Sequence, residues 1–385
     1  MSQMSIEDEV LLENEEELNE LEYFGDEEKP IFESVRVTKK DFSIYELYRK
    51  YKKNQLILEV DFQRNEVWGP KQKCELIESI LMGLPLPIFY FKQQNNSTYV
   101  VVDGKQRLST LFDFLSDGFP LKSLKILKFL NGKKFKNLVD ELGIYQSQLE
   151  DYQVYSHVIL PPTPDKILFD IFDRVNRGGT KLNKQEIRNA LYHGRGLNMI
   201  TEVVASQEFL QATRIEYKKD QRMKGSYLVT RFLAFYLFFN DLLFKDGKKY
   251  EYTGNLDDLI ETTLTKLNQS SLEELEEIRQ VTIKSLEMAR DILGKGAFRK
   301  ENNESKPINM NIFETTLYFM TLLPKNNIAV SREELLEKIK TVISSEEFLY
   351  YIGNSRDNTM KVYGRFQLHS FPTRRSSDLN RKSVV

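Results

Sequence analysis

The fold of this chain is decided by residues 100–111, which read Val-Val-Val-Asp-Gly-Lys-Gln-Arg-Leu-Ser-Thr-Leu. The three valines predict a buried strand, and the apolar spacing after Arg107 predicts a helix. Gly104 permits close backbone approach, and N–H groups at the start of a helix favour an anion. Asp103 can hold a metal ion or orient a water. The stretch predicts a phosphate-binding turn; a solvated Lys-Gln-Arg turn with a structural role is the alternative.

Segments with the spacing of β-strands and segments with the spacing of α-helices both surround this turn. The apolar runs 88–91 and 99–102 flank turn residues and predict a β-hairpin. Pro70 opens a pattern with one apolar face, which predicts a helix. Beyond about residue 195 the pattern is almost wholly helical, so the sequence predicts an α+β fold followed by a helical domain. The remaining predicted elements are a helix over 42–51 capped by Asp41, strands at 56–60 and 154–160, a helix over 165–175, and capping boxes that begin at Asn183, Ser271 and Ser331.

Charge is distributed unevenly along the 385 residues. The net charge is −2, but residues 1–28 hold twelve acids and no Lys or Arg, which leaves +10 on the remainder. The acidic stretch, residues 1–30, predicts a solvated, disordered leader. We expect a first domain over 31–195 and a helical domain over 196–370. Residues 371–385 break the preceding pattern and resemble translated adaptor sequence, so they are excluded from fold reasoning as a non-native tail.

Composition excludes several classes of protein. The single cysteine, Cys74, excludes a disulfide scaffold and a cysteine-built zinc site, and favours a reducing cytoplasm. No signal peptide is visible, because the N-terminal region is acidic. The apolar stretch 227–244 is interrupted by Arg231 and Asp241, so it predicts a buried helix and not a membrane span.

Two further clusters carry polar side chains suited to an anion. Residues 61–68 read Asp-Phe-Gln-Arg-Asn-Glu-Val-Trp, so Gln63 and Arg64 stand beside the only tryptophan. They can face the same anion as Arg107, or Trp68 can anchor the next helix while Arg64 makes a structural ion pair. The third cluster, Asn176-Arg177-Gly178-Gly179, is typical of a helix C-cap.

Four motifs in order resemble the N-terminal domain of GmrSD-type restriction endonucleases, within the ParB/sulfiredoxin-like superfamily. They are FQRNEVW at 62–68, LIESILMGLPLPIFYF at 76–91, VVDGKQRLSTL at 101–111, and FDRVNRGG with KLNKQEIRNAL over 172–191. The resemblance covers about residues 40–240 and includes Asp220 to Met223 and Arg231. The family's DGQQR appears here as DGKQR, with Lys105 where Gln is common, which puts only fine nucleotide preference in doubt.

The resemblance implies a ParB-like domain that binds, and hydrolyses, a nucleoside triphosphate to gate restriction of modified or foreign phage DNA. It implies Mg²⁺ on the phosphates and a nuclease partner or a further nuclease domain. The choice among GTP, CTP, UTP and ATP stays open. By the resemblance Asp103 and Arg107 are the catalytic residues, with Asp103 as the metal contact, and the nucleotide-binding residues are Gln63, Arg64, Gly104, Lys105, Gln106, Arg107 and Asn176.

Two other classes of function stay open: a nucleotide- or DNA-binding sensor without turnover, and a ParB-like nuclease that acts directly on DNA. A His-Asn-His nuclease needs at least two placed histidines, and the chain has only His157, His193 and His369. We expect His157 in the core and His193 at a helix cap, so these predict no such centre. Sulfiredoxin-like chemistry needs a reactive cysteine, and the pattern puts Cys74 on an apolar helix face.

Overall fold

A computed structural model describes residues 12–13, 36–58, 68–94, 97–161, 163, 171, 183–220, 222–323, 331–353 and 357–370. The chain divides into two compact units. One comprises residues 21–191 and is called the α/β unit. The other comprises residues 1–20 with 192–385 and is called the helical unit.

The α/β unit is built on a mixed five-stranded sheet. Its strands are β1 (Val37–Ser43), β2 (Leu56–Ile57), β3 (Phe89–Gln93), β4 (Tyr99–Asp103) and β5 (Gln153–Ile159), in the order β1-β5-β3-β4-β2. β3 pairs with β4 antiparallel, which confirms the predicted hairpin, and β2 pairs with β4 in parallel. The helices of this unit are α1 (Ile44–Lys52), α2 (Pro70–Leu81), α3 (Lys105–Leu115), α4 (Phe135–Glu141), α5 (Gly143–Glu150) and α6 (Lys184–Leu191).

The predicted start of the first helix was wrong. Asp41 and Phe42 belong to β1, and the helix begins at Ile44 with Ser43 as its cap, whose Oγ accepts the Glu46 N–H at 3.1 Å. Phe42 is 1% exposed and packs edge-on against the ring of Tyr99. Burial of this ring in the sheet extends the strand past Asp41, and Ser43 supplies the oxygen that a cap needs.

Helices α2 and α3 cover the sheet as their apolar spacing predicts. Pro70 stands at the first position of α2, and α2 ends before Gly83, which has φ +69°. Buried residues of α2 include Cys74 and Ile77, and those of α3 include Leu108 and Leu111. Cys74 is 2% exposed, so this thiol lies in the core, as expected.

The helical unit contains nine further helices among its described residues. The described part of residues 1–20 joins it: Leu12–Glu13 pairs in parallel with Ile308–Asn309, and Leu12 is 5% exposed. The expected solvated leader therefore does not extend to these two residues, and for the rest it stays a prediction. The helices are α7 (Arg195–Val204), α8 (Gln207–Thr213), α9 (Lys224–Phe239), α10 (Leu256–Gln269), α11 (Leu272–Leu293), α12 (Met310–Leu322), α13 (Arg332–Ile343), α14 (Glu346–Ile352) and α15 (Thr359–Ser370).

The predicted serine caps of two of these helices are confirmed. Ser271 Oγ accepts the Glu274 N–H at 3.1 Å at the start of α11. Ser331 Oγ accepts the Glu334 N–H at 3.2 Å at the start of α13. Each hydroxyl satisfies one of the N–H groups that the first turn of a helix leaves unpaired, so these caps are encoded locally.

Helix α9 corresponds to the apolar stretch that the sequence interrupts with charges. All sixteen of its residues, Arg231 included, are buried in the helical unit. In the described part of the chain, no helix combines the length and apolar character that crossing a membrane requires. The expectation of a buried helix is therefore confirmed for residues 224–239.

Four charged side chains form a sealed network inside the helical unit. Arg231 contacts Glu314 at 2.8 Å and Asp357 at 3.1 Å. Arg365 contacts the same two carboxylates at 2.7 Å and 2.6 Å. Burial alone would raise the pKa of Asp357, but the two guanidinium groups hold it below its usual value. Two positive and two negative charges thus balance in a region where Arg231, Glu314 and Arg365 are at most 1% exposed.

Candidate functional site

Strand β4 carries Asp103 to the edge of the sheet. Val100, Val101 and Val102 are all buried, and Asp103 follows them as the last residue of the strand, opposite Tyr90. The pairing of β3 with β4 is irregular between Tyr90 and Phe91, so a bulge lies beside the aspartate. About a third of the Asp103 side chain is exposed, so its carboxylate is open to a ligand.

Gly104 makes the turn from β4 into α3, and only glycine fits there. Its φ of +97° lies in the left-handed region. A Cβ at this position would lie 2.2 Å from Cδ1 of Phe89, a ring that is itself 1% exposed in the core. Both the torsion and the packing therefore require glycine, as the sequence suggested for a close backbone approach.

The buried side chain of Arg107 stabilises the turn through hydrogen bonds. Its Nη2 donates to Asp103 Oδ2 at 2.9 Å and to the Ile88 carbonyl at 3.3 Å, and its Nη1 donates to the Pro87 carbonyl. The guanidinium lies 4.0 Å from the centre of the Phe89 ring. Burial lowers the pKa of Arg107, and the negative charge of Asp103 opposes that shift. This side chain ties one carboxylate oxygen of Asp103 to the segment before β3.

The first turn of α3 opens beside Asp103. No described side chain caps it, because Gly104 stands at the cap position, and the turn contains no acid. Lys105 and Gln106 follow at positions of intermediate exposure. A helix N-terminus with uncapped N–H groups carries a partial positive charge and suits an anion.

The structure brings together five of the predicted site residues: Asp103, Gly104, Lys105, Gln106 and Arg107. The other three, Gln63, Arg64 and Asn176, lie outside the described residues. Strands β2 and β4 are parallel, so their carboxyl ends share one edge of the sheet.

Helix α6 packs against the strand that ends at Asp103, and it carries buried polar residues to which the sequence interpretation gave no role. It begins with the predicted capping box: Asn183 Oδ1 accepts the Glu186 N–H at 2.8 Å, and Glu186 Oε2 accepts the Asn183 N–H at 2.6 Å. Gln185 is fully buried and donates to Asn189 at 2.8 Å, while its own Oε1 meets no hydrogen-bond donor among the residues that the structure describes. The sequence signal that could have indicated these residues is the occurrence of polar side chains on the face of α6 that packs inward.

A divalent cation fits this site only together with a ligand. No group of three or more His, Cys, Asp or Glu side chains capable of holding a metal occurs among the described residues. Asp103 offers a single, partly exposed carboxylate. Mg²⁺ commonly takes one or two protein carboxylates plus substrate phosphates, so Asp103 suits an ion that arrives on a triphosphate.

None of the three histidines belongs, among the described residues, to a group of three or more His, Cys, Asp or Glu side chains that could hold a metal ion. His157 was expected in the core, but it is half-buried on β5 beside the Tyr90 ring. His193 Nε2 is buried and makes no hydrogen bond within the described part of the chain, and burial lowers the pKa of this imidazole. His369 is 2% exposed between aromatic rings, and burial lowers its pKa to about 3.

Comparison with known proteins gives one match, which covers most of the α/β unit. No curated protein matches the chain. Residues 44–193 match the family model described as GmrSD restriction endonuclease, N-terminal domain. The matched segment contains helices α1 to α6, strands β2 to β5 and the whole Asp103–Arg107 turn. Residues 44–193 of this chain are therefore similar to the N-terminal domain of GmrSD restriction endonucleases, and the match supports that family for this segment.

Proposed function

We propose that this protein is the nucleoside-triphosphate-binding and hydrolysing regulatory component of a modification-dependent restriction or anti-phage defence system, acting in the cytoplasm with DNA as its partner. The family match supports a component of a restriction system. The observation that carries the nucleotide assignment is the turn in which Asp103, partly exposed, meets an uncapped helix N-terminus across a glycine.

The triphosphate would lie against the first turn of α3. Backbone N–H groups there, with Lys105 and Gln106, would bind phosphate oxygens. Gln63, Arg64 and Asn176 would complete the site. Since phosphoryl transfer is catalysed mainly by positioning and charge stabilisation, no nucleophilic side chain is needed. Hydrolysis adds a water oxygen to the γ-phosphorus and breaks the bond from that phosphorus to the β,γ-bridging oxygen, giving the nucleoside diphosphate and inorganic phosphate, with the proton of the water released to solvent.

Asp103 is the residue assigned to the reaction centre. One of its oxygens accepts from Arg107, which leaves the other for a water or a phosphate-bound Mg²⁺. The magnesium ion would supply charge neutralisation on the phosphates. Arg107, which donates to Asp103 and to two backbone carbonyls, would orient that carboxylate; direct contact of Arg107 with phosphate stays a prediction.

Phosphate release tests the proposal. The wild-type protein and the variants Asp103→Ala and Arg107→Ala are given GTP, CTP, UTP or ATP with Mg²⁺, with and without modified DNA. We expect release from at least one nucleotide and its loss in both variants. Unchanged turnover in both would overturn the catalytic assignment. A circular-dichroism melt of each variant distinguishes lost chemistry from lost folding.

Two outcomes would favour the other classes of function. Nucleotide binding without any phosphate release, in the presence and absence of DNA, would indicate a sensor. Mg²⁺-dependent DNA nicking that persists in Arg107→Ala would indicate a nuclease that acts directly on DNA.

A further inference from the structure

A basic segment lies at the far end of α3 from the candidate site. Residues 121–136, called the lysine loop, run into the first turn of α4 and contain six lysines and no arginine, aspartate or glutamate. The chain beyond residue 28 carries a net charge of +10, so this short segment holds a large share of the excess. Helix α3 has eleven residues, about 16 Å, and it separates the Asp103 turn from the segment that leads into the loop.

The lysine loop is held in one conformation by the core beneath it. Leu121, Leu124 and Leu130 are at most 4% exposed. The buried carboxylate of Glu78 accepts three consecutive N–H groups, from Lys125 at 3.2 Å, Ile126 at 2.8 Å and Leu127 at 2.9 Å. Burial alone would raise the pKa of Glu78, but these donors lower it, so the anchor is charged at neutral pH.

The outer side of the lysine loop presents charge and apolar surface together. Lys122, Lys125, Lys128 and Lys136 are exposed. Between them Ile126 is 67% exposed and Phe129 is 57% exposed. The Phe129 ring lies 5.6 Å from that of Tyr145 on α5, which supports one side of it. Lys125 also pairs with exposed Glu75 at 3.0 Å, a weak contact that another anion can replace.

We propose that the lysine loop binds single-stranded nucleic acid. Lysines placed as point charges attract a phosphate backbone, and an exposed, supported aromatic ring offers a face on which an unpaired base stacks. The exposed aromatic ring favours a partner with unpaired bases over an acidic protein, and the four exposed lysines favour a polyanion. The proposal rests on the proposed function only in expecting DNA as a partner.

Fluorescence anisotropy of a labelled oligothymidylate of about 20 nucleotides tests the proposal, since this exceeds a typical single-strand site. The variant Lys122→Gln/Lys125→Gln/Lys128→Gln is compared with the matched control Lys39→Gln/Lys52→Gln/Lys53→Gln, which removes the same charge from other exposed positions of the α/β unit. We expect the loop variant to bind at least tenfold more weakly, and the slope of log affinity against log salt to fall by about 2. The control should keep wild-type affinity and slope.

Phe129→Ala separates stacking from charge. We expect about tenfold weaker binding to the single strand with an unchanged salt slope, because a base-stacking face is lost and no charge is removed. Since Phe129 is mostly exposed, its truncation should leave the fold intact.

Several results would overturn the proposal. One is an equal loss of oligonucleotide affinity in the loop variant and the control, and another is unchanged affinity in Phe129→Ala. The others are tighter binding of a duplex than of the single strand, and stronger binding to phosphatidylserine vesicles than to the oligonucleotide. Nucleotide binding is measured in the same variants. Loss of oligonucleotide binding with nucleotide binding intact supports the lysine loop whether or not Asp103 hydrolyses a triphosphate.

Discussion

Two clusters of buried arginine in this protein serve different ends. In the α/β unit, Arg107 meets one carboxylate, Asp103, and the carboxylate is about a third exposed. In the helical unit, Arg231 and Arg365 meet Glu314 and Asp357, and the two arginines and Glu314 are at most 1% exposed. The first cluster opens on a helix N-terminus, whereas Arg231, Glu314 and Arg365 of the second lie on three helices that pack inside the helical unit. An ion pair with an accessible oxygen can bind a ligand, whereas a buried and charge-balanced one is suited to a structural role.

The largest effect is expected from neutralising a carboxylate of the sealed network. Glu314→Gln leaves two buried arginines facing only Asp357, so we expect a loss of about 3–5 kcal/mol in the free energy of unfolding by urea denaturation. Glu337→Gln, at an exposed ion pair with Lys340, should change it by less than about 0.5 kcal/mol.

Adding Arg365→Met to Glu314→Gln sharpens this prediction, because it restores charge balance between Arg231 and Asp357. The double variant should be more stable than the single one. If it is less stable, or if Glu314→Gln unfolds like the wild-type protein, the network does not carry the role assigned to it.

A smaller effect is expected where the open cluster turns into α3. Gly104→Ala forces a left-handed torsion on alanine and drives its Cβ into Phe89, so we expect a loss of about 3 kcal/mol. Gly132→Ala is the matched control: its φ is +86°, but nothing lies within 4 Å of the added Cβ, so only about 1 kcal/mol should be lost. Equal losses would contradict the packing argument.

Acid should lower the stability of the helical unit through His369. Its folded-state pKa of about 3 lies below the ordinary 6.5, so below about pH 6.5 the unfolded chain binds a proton that the folded chain cannot. Stability should fall as the pH drops from 6.5 towards 3, by about 2 kcal/mol between pH 7 and pH 5.

His369→Phe should remove that part of the loss, because phenylalanine does not titrate and fits beside Phe319 and Phe348. Urea denaturation of the wild-type protein and of the variant at pH 7 and pH 5 measures this difference in the free energy of unfolding. His193, whose pKa burial also lowers, should keep a smaller dependence in the variant. An unaltered difference between the two pH values would show that His369 is not the titrating group.

The sequence predicted local features better than long-range ones. The hairpin, helices α2 and α3 and the serine caps follow from short patterns, and the structure has them. The cap of α1 was misplaced, because only the burial of Phe42 in the sheet shows that β1 continues past Asp41. Arg231 and Glu314 are 83 residues apart, and no local periodicity pairs them.

The candidate site was predicted in part. The Asp103–Arg107 turn follows from a strand, a glycine and a helix start in succession. The inward orientation of the Arg107 side chain was not predicted. It depends on the carbonyls of Pro87 and Ile88 and on the Phe89 ring. The burial of Gln185 was also not predicted, since it depends on how α6 packs against β4.

The most direct measurement of the open cluster's role is steady-state phosphate release by Asp103→Asn, with its free energy of unfolding measured alongside. Since the pair with Arg107 is partly exposed and the amide keeps the shape, the stability should fall by about 1 kcal/mol or less. We predict that release drops by about 100-fold or more, because the negative oxygen that holds water or a phosphate-bound ion is gone. Wild-type release by a folded Asp103→Asn protein would contradict the assignment of this turn as the reaction centre.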